Sequence, residues 1–158
     1  MCIRDSYFTD DVLDKFFPKP GSYQGMKTPW QSVTKAFTFQ REELIVWTGF
    51  SGSGKSTVLN QVAVQGMVDH EKFCICSLEM PSKVTLYRMV RQITGEARPD
   101  ESTIRRAMQW LSDKCWMVHI LGTVKTQRVL EVFKYAVKRY DISCLLYTSD
   151  AADDLLCV

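Results

Sequence analysis

Eight consecutive residues, Gly49-Phe50-Ser51-Gly52-Ser53-Gly54-Lys55-Ser56, with Thr57 directly behind them, have the types and spacing to hold a phosphate. They satisfy the pattern G-x-x-x-x-G-K-[ST] at every fixed position. Glycines at 49, 52 and 54 let the backbone fold closely around an anion, so that several N–H groups converge on it. A helix beginning near Lys55 would add the positive end of its dipole. Lys55 is long enough to reach the β- and γ-phosphates of a nucleoside triphosphate, and the Ser56 hydroxyl can ligate the accompanying Mg²⁺. The nucleotide-binding candidates are therefore Gly49, Ser51, Gly52, Ser53, Gly54, Lys55, Ser56 and Thr57. A glycine-rich turn that matches by accident is the competing reading, and its neighbours argue against it.

A second chemical candidate is Glu79. Phe73-Cys74-Ile75-Cys76-Ser77-Leu78 reads as a buried strand, and Glu79 ends it. Ligands of open α/β sheets bind at the carboxyl ends of strands. A carboxylate there could take a proton from a water aimed at the γ-phosphate. The bland alternative is a solvated acid at a strand end.

The elements that must position these residues follow from the apolar pattern. Leu44-Ile45-Val46-Trp47 reads as a short buried strand leading into the loop, and Val58, Leu59, Val62 and Ala63 recur at helical spacing behind it. Asp69-His70-Glu71-Lys72 is a charged turn. Pro81-Ser82 opens a helix with Leu86, Met89, Val90 and Ile93 on one face, closed by Gly95. Asp100 or Ser102 can cap the next helix, with Ile104, Ala107, Met108 and Leu111 inward. Trp116 to Leu121 reads as a third strand with His119 as a core histidine. Thr126 can cap a last helix whose stripe is Val129, Leu130, Phe133, Ala136, Val137 and Tyr140. Before the loop, Phe8, Val12, Leu13, Phe16 and Phe17 are loosely helical, Pro18 to Gly21 break, and Pro29-Trp30 is a turn or anchor. Val33 to Phe39 fits a helical turn or an edge strand. Strands alternating with helices imply an α/β fold with a mostly parallel sheet flanked by helices.

The totals are those of an ordinary globular domain, with 158 residues, 46% apolar and 24% charged. A net charge of +2 is too small to argue for nucleic acid. No apolar run approaches the ~20 residues of a membrane span, and no secretory h-region opens the chain. Six cysteines form neither a CxxC pair nor a zinc pattern. Cys74 and Cys76 read as small core residues, in a reducing, cytoplasmic setting.

With the residues in view, Glu42 to Gly49 running into the loop, then Cys76-Ser77-Leu78-Glu79-Met80, resembles the RecA-like ATPase domain of replicative hexameric helicases, of the DnaB type and the phage primase–helicase (Twinkle-like) type. The resemblance spans about residues 25–143. It implies a RecA-like P-loop core, ATP or another NTP with Mg²⁺, and catalytic roles for Lys55 on phosphate and Glu79 as hydrolytic base. It also implies single-stranded DNA as partner, a homo-oligomeric ring (a hexamer) and a possible accompanying primase. The family's Walker B aspartate should follow the helix ending near Tyr140. Leu145-Leu146-Tyr147 with Asp150 imitates that pattern, but Thr148 and Ser149 intervene. The family's DNA-binding loops, γ-phosphate sensor and arginine finger would lie further on.

Residues 1–6 and 144–158 resemble translated sequencing-adapter tails of assembled metagenomic reads. The expected organisation is therefore a foreign tail over 1–6, a lead-in over 7–40, the first part of the ATPase domain over 41–143, and a foreign tail over 144–158. Three Asp and no base occur in that last stretch, so without it the net charge of +2 would be three units more positive. A genuine short helix around Ala151–Leu156 is the alternative. Arg88, Arg91, Arg98, Arg105, Arg106, Lys134, Lys138 and Arg139 read as solvated helix faces, with no aromatics interleaved as stacking platforms. Other readings stay open: a recombinase- or clock-type RecA-like ATPase, a P-loop kinase of a small metabolite with Arg105-Arg106 in its lid, or a nucleotide-binding module without catalysis.

Overall fold

Phe73-Cys74-Ile75-Cys76-Ser77 carries small or apolar groups on both sides of its pleat, as a strand covered on two faces requires. In a computed structural model describing residues 25–119 and 126–148, with Leu13, Phe16 and Phe17, it is the central strand β1 (Phe73–Ser77). Strands β2 (Cys115–Val118) and β3 (Cys144–Thr148) pair with it on either side, both parallel, in the order β2-β1-β3. Phe73 lies opposite both Cys115 and Cys144. Five helices among the described residues accompany the sheet: the single turn α1 (Gln31–Thr34), then α2 (Lys55–Val68), α3 (Ser82–Thr94), α4 (Glu101–Ser112) and α5 (Thr126–Tyr140). The protein is α/β, a small open parallel sheet flanked by helices.

Alternation along β1 divides the core in two. Phe73 and Ile75 join Val62, Ala63 and Met67 of α2, Met89 and Val90 of α3, and Ala107 and Leu111 of α4. Cys74 and Cys76 face the other way, onto Val129, Phe133 and Ala136 of α5 and onto Ile142. The layers are thus α2, α3 and α4, then the sheet, then α5. Gly66 lets α2 lie close to β1, because a Cβ there would meet the Met26 sulfur and Phe73 Cε2 at 2.6 Å. At the ends of α3 and α4 the expected chemistry is present. Gly95 closes α3 with φ +71°, and the Asp100 carboxylate accepts the Thr103 amide at 2.8 Å to start α4. That bond, with the Ser102 hydroxyl, holds the Asp100 carboxyl below the usual range.

Four expectations need correction. Leu44–Trp47 is not a strand: it is unpaired, with Leu44 91% and Val46 73% exposed. A strand exists only through its ladder, and a cavity of about 470 Å³ lies between this segment and the start of β3. The third strand is shorter than its apolar run and ends at Val118, which leaves His119 exposed beyond it and not in the core. On α4, Ala107 and Leu111 are buried, whereas Ile104 and Met108 stay partly exposed, each at 39%, because no described element fully covers that side. On α5, whose described part begins at Thr126, the same holds for Leu130, Val137 and Tyr140.

The ambiguous stretch from Val33 to Phe39 divides. Its start belongs to the turn α1, and Phe39 forms an isolated antiparallel bridge with Met26. Cys144–Thr148, the opening of the stretch likened to adapter tails, forms β3. The slot beside β1 asks only for β-formers, and Leu145, Leu146, Tyr147 and Thr148 supply them whatever their origin. Asp150, the segment around Ala151–Leu156, residues 1–6 and most of the aromatic stretch before Pro18 lie outside the described residues.

Two outcomes follow from this packing. Gly66→Ala should lower stability by about 1–3 kcal/mol in denaturant titrations, the cost of overpacking a helix–sheet contact. Burial pushes the Cys74 and Cys144 thiols up to about 11 and Cys115 to about 12. Since the fold favours the neutral form, their contribution is complete below the ordinary thiol value and drains away as pH rises through 11 to 12. Native-state alkylation with mass-spectrometric mapping at pH 8 should therefore label Cys74 about a hundredfold more slowly than the unfolded chain.

Candidate functional site

The Gly49–Ser56 loop leads directly into the first turn of α2, where Lys55 is the first helical residue. Gly52 and Gly54 have φ of +76° and +87°, and a Cβ on either would meet no atom within 4 Å. Glycine is needed at both for backbone conformation, not for room. Gly54, in the left-handed region, turns the chain into the helix and offers its carbonyl to the Thr57 and Val58 amides, both at 3.0 Å. The Ser53 amide closes a turn on the Phe50 carbonyl at 3.2 Å. The amides of Gly52, Gly54, Lys55 and Ser56 then have no hydrogen-bond partner among the described residues. Unpartnered N–H groups around a glycine turn at a helix start are what an anion needs.

Lys55 Nζ donates to the Gly49 carbonyl at 2.7 Å and to the Phe50 carbonyl at 3.0 Å. The ammonium is therefore held over its own loop, and a phosphate would draw it by exchange of weak carbonyl bonds for charge-assisted ones. Ser51, Gly52, Ser53 and Thr57 are exposed, and Lys55 and Ser56 are half-buried.

Glu79 comes to the same place from the sheet. Ser56 Oγ lies 3.5 Å from Glu79 Oε2, a long contact between residues 23 apart in the chain. The position of Glu79 is set by its neighbours on the sheet end. The Leu78 amide donates to the Thr148 carbonyl at 2.9 Å, the Met80 amide donates to Ser77 Oγ at 3.0 Å, and Thr148 Oγ1 donates to Ser77 Oγ at 2.9 Å. The carboxylate is exposed, so water reaches it freely. The structure thus brings Lys55, Ser56 and Glu79 together at the carboxyl end of β1, beside the start of α2.

Three contributors are invisible to motif reading. Ser77 and Thr148 hold the turn that carries Glu79, and Gln92 of α3 donates to the Thr57 carbonyl at 2.9 Å, tying α3 to the first turn of α2. No local signal marks them, since each acts on a residue distant in the chain. Among the residues read as solvated basic faces, Arg105 is paired with Glu101 at 2.6 Å, and Arg106 donates to Thr103 Oγ1 at 3.1 Å. No cluster of three or more His, Cys, Asp or Glu suited to a metal occurs among the described residues, and none of their helices is long and apolar enough to cross a membrane.

Comparison with protein-family models and with curated proteins gives no match. The geometry of the site therefore has to carry the functional argument.

Gly54→Ala should destabilise the chain by about 1–2 kcal/mol, because a side chain disfavours this backbone conformation even where space is open. Gly49→Ala, where the added Cβ would come within 3.2 Å of the Ser53 hydroxyl and make ordinary contacts with the Lys55 stem, should change stability less. Thermal melts of the two variants side by side check the order.

Proposed function

We propose that this chain is the ATP-binding part of a RecA-like motor of the replicative helicase class, whose parent protein couples ATP hydrolysis to movement on single-stranded DNA. The observation that carries the reading is the approach of Glu79 Oε2 to Ser56 Oγ beside four unpartnered loop amides. In this reading the loop amides and Lys55 bind the phosphates, Ser56 ligates Mg²⁺, and Glu79 accepts a proton from the attacking water. Lys55 counts as catalytic because its charge would follow the γ-phosphoryl group as negative charge shifts in the transition state.

The residues present fit MgATP on their chemistry. Amide donors and an ammonium suit phosphate oxygens, and a hydroxyl beside a carboxylate suits a hard cation. An exposed carboxylate at a strand end also suits a base that must receive water from outside. The small parallel sheet with helices on both faces is compatible with a RecA-like core. Assembly into a homo-oligomeric ring, a hexamer, and action on DNA are proposed from the resemblance of the loop and of the Leu78-Glu79-Met80 strand end. Hydrolysis is proposed for that assembled parent.

A small-metabolite kinase is the weaker reading, since Arg105, offered as a lid cation, is engaged by Glu101 on its own helix. A different RecA-like ATPase, of the recombinase or clock type, can share the strand-end Glu, and the Leu78-Glu79-Met80 sequence is what favours the helicase class over it.

The decisive comparison is Glu79→Gln against Lys55→Ala in the full-length parent. Glu79→Gln should keep Mg-nucleotide affinity within a few-fold and lose turnover by about 10²–10⁴, the range for removal of a general base. Lys55→Ala should lose nucleotide binding as well. Unaltered turnover in the Glu79 variant removes the proposed base.

A further inference from the structure

Glu71 belongs to a charged turn by its sequence, yet it is buried, with only 10% of its side chain exposed. A carboxylate taken out of water needs a close cation or several hydrogen bonds. Among the described residues its ion-pair partner is Arg41, whose guanidinium lies 4.0 Å away on a side chain that is itself 65% exposed. Neither Glu71 side-chain oxygen accepts a hydrogen bond from the described residues. The charge is held inside and only loosely compensated.

Glu71 lines the cavity of about 470 Å³ between Leu44–Trp47 and the start of β3, whose size falls in the range of small-ligand sites. The rest of the wall is largely apolar, with Met26, Phe39, Val62, Phe73 and Leu146 among its residues and Trp47 on the side of the glycine loop. Burial and, after it, the Glu71 charge push the Cys144 thiol up to about 11, which puts the carboxylate beside another lining residue. The carboxylates of Glu42, Glu43 and Glu71 stand against the one guanidinium of Arg41, so the lining is electronegative. An anion would meet the wrong charge here. A bare metal ion would find one inner carboxylate where a hard cation takes about six oxygens, and no metal cluster occurs among the described residues. An organic cation with a hydrocarbon body matches both the charge and the wall.

We infer that this cavity binds a small amphipathic amine, with its ammonium on the Glu71 carboxylate and its apolar body against Phe39, Phe73 and Leu146. The ammonium supplies the charge-assisted donors that the carboxylate lacks, and the hydrocarbon part takes apolar wall out of water. Aromatic rings at Phe39 and Trp47 add attraction for the cation. The inference is independent of what the Gly49–Ser56 loop binds. Trp47 stands two residues before Gly49, so its indole reports occupancy of the cavity by fluorescence.

The test titrates phenethylamine, phenethyl alcohol and phenylacetate, which share one aromatic body, into the whole chain and follows binding by saturation-transfer NMR and Trp fluorescence. At neutral pH the amine should bind wild type about tenfold more tightly than the alcohol, and phenylacetate more weakly than either. Glu71→Gln keeps the shape and removes the charge, so it should bring the amine to the affinity of the alcohol while leaving the alcohol within about twofold. Leu59→Trp fills the cavity from α2 and should weaken both by about tenfold. Melting curves verify that the variants are folded, and the wild-type comparison of the probes needs no variant at all. The inference is overturned if wild type does not bind the amine or binds amine and alcohol equally. It is overturned as well if Glu71→Gln or Leu59→Trp, folded, binds the amine as wild type does.

Discussion

The structure depends on the demand that a strand in the middle of a parallel sheet place every backbone group and both faces at once. β1 meets it by pairing with β2 on one edge and β3 on the other, with helices covering both faces. Its residues suit that central position. Cys74 and Cys76 are small enough for α5 to lie close, while Phe73 and Ile75 fill the wider side under α2, α3 and α4. Once β1 is held in this way, the place where it runs out is fixed in space, and Glu79 sits two residues beyond that end. The position of the carboxylate is therefore a consequence of sheet packing and of the hydrogen bonds of Thr148 to Ser77 and Leu78, not of the turn by itself.

The loop obeys a different constraint. A helix start leaves its first N–H groups without internal partners. Here Gly52 and Gly54, both at positive φ, fold the preceding residues so that nothing among the described residues takes up those amides. The Lys55 ammonium and the Ser53 amide are satisfied from within, on carbonyls of the same loop. Donors are thus concentrated at one point, and the fold brings a carboxylate to the Ser56 side of it. A cation between carboxylate and hydroxyl, with an anion on the amides, would balance both sets of charges.

Apolar groups that remain exposed occur where a pairing or packing partner is lacking among the described residues. Leu44–Trp47 borders a cavity that the start of β3 also lines, and the outer side of α5 keeps Leu130 and Val137 in solvent. Both segments have the residue pattern of buried elements. Pattern records a capacity for burial, and burial itself needs a second surface at the right distance.

That distinction separates what was legible in the chain from what was not. The glycine turn over Gly49–Ser56, α2 behind it, β1, the Gly95 stop and the Asp100 cap could be read from the amino acids alone, because each rests on interactions within a few residues: backbone freedom at glycine, i to i+3 capping, the period of a helix or strand. The failure of Leu44–Trp47 to pair, the early end of β2, and the exposure of His119, Ile104 and Met108 could not, because each depends on which surface lies opposite. The same holds for the site. Lys55 and Ser56 announce themselves by spacing, whereas the meeting of Ser56 with Glu79 across 23 residues, and the hold of Gln92 on Thr57 across 35, exist only once helix and sheet have packed. Local chemistry named the groups, and tertiary packing decided which of them came to lie side by side.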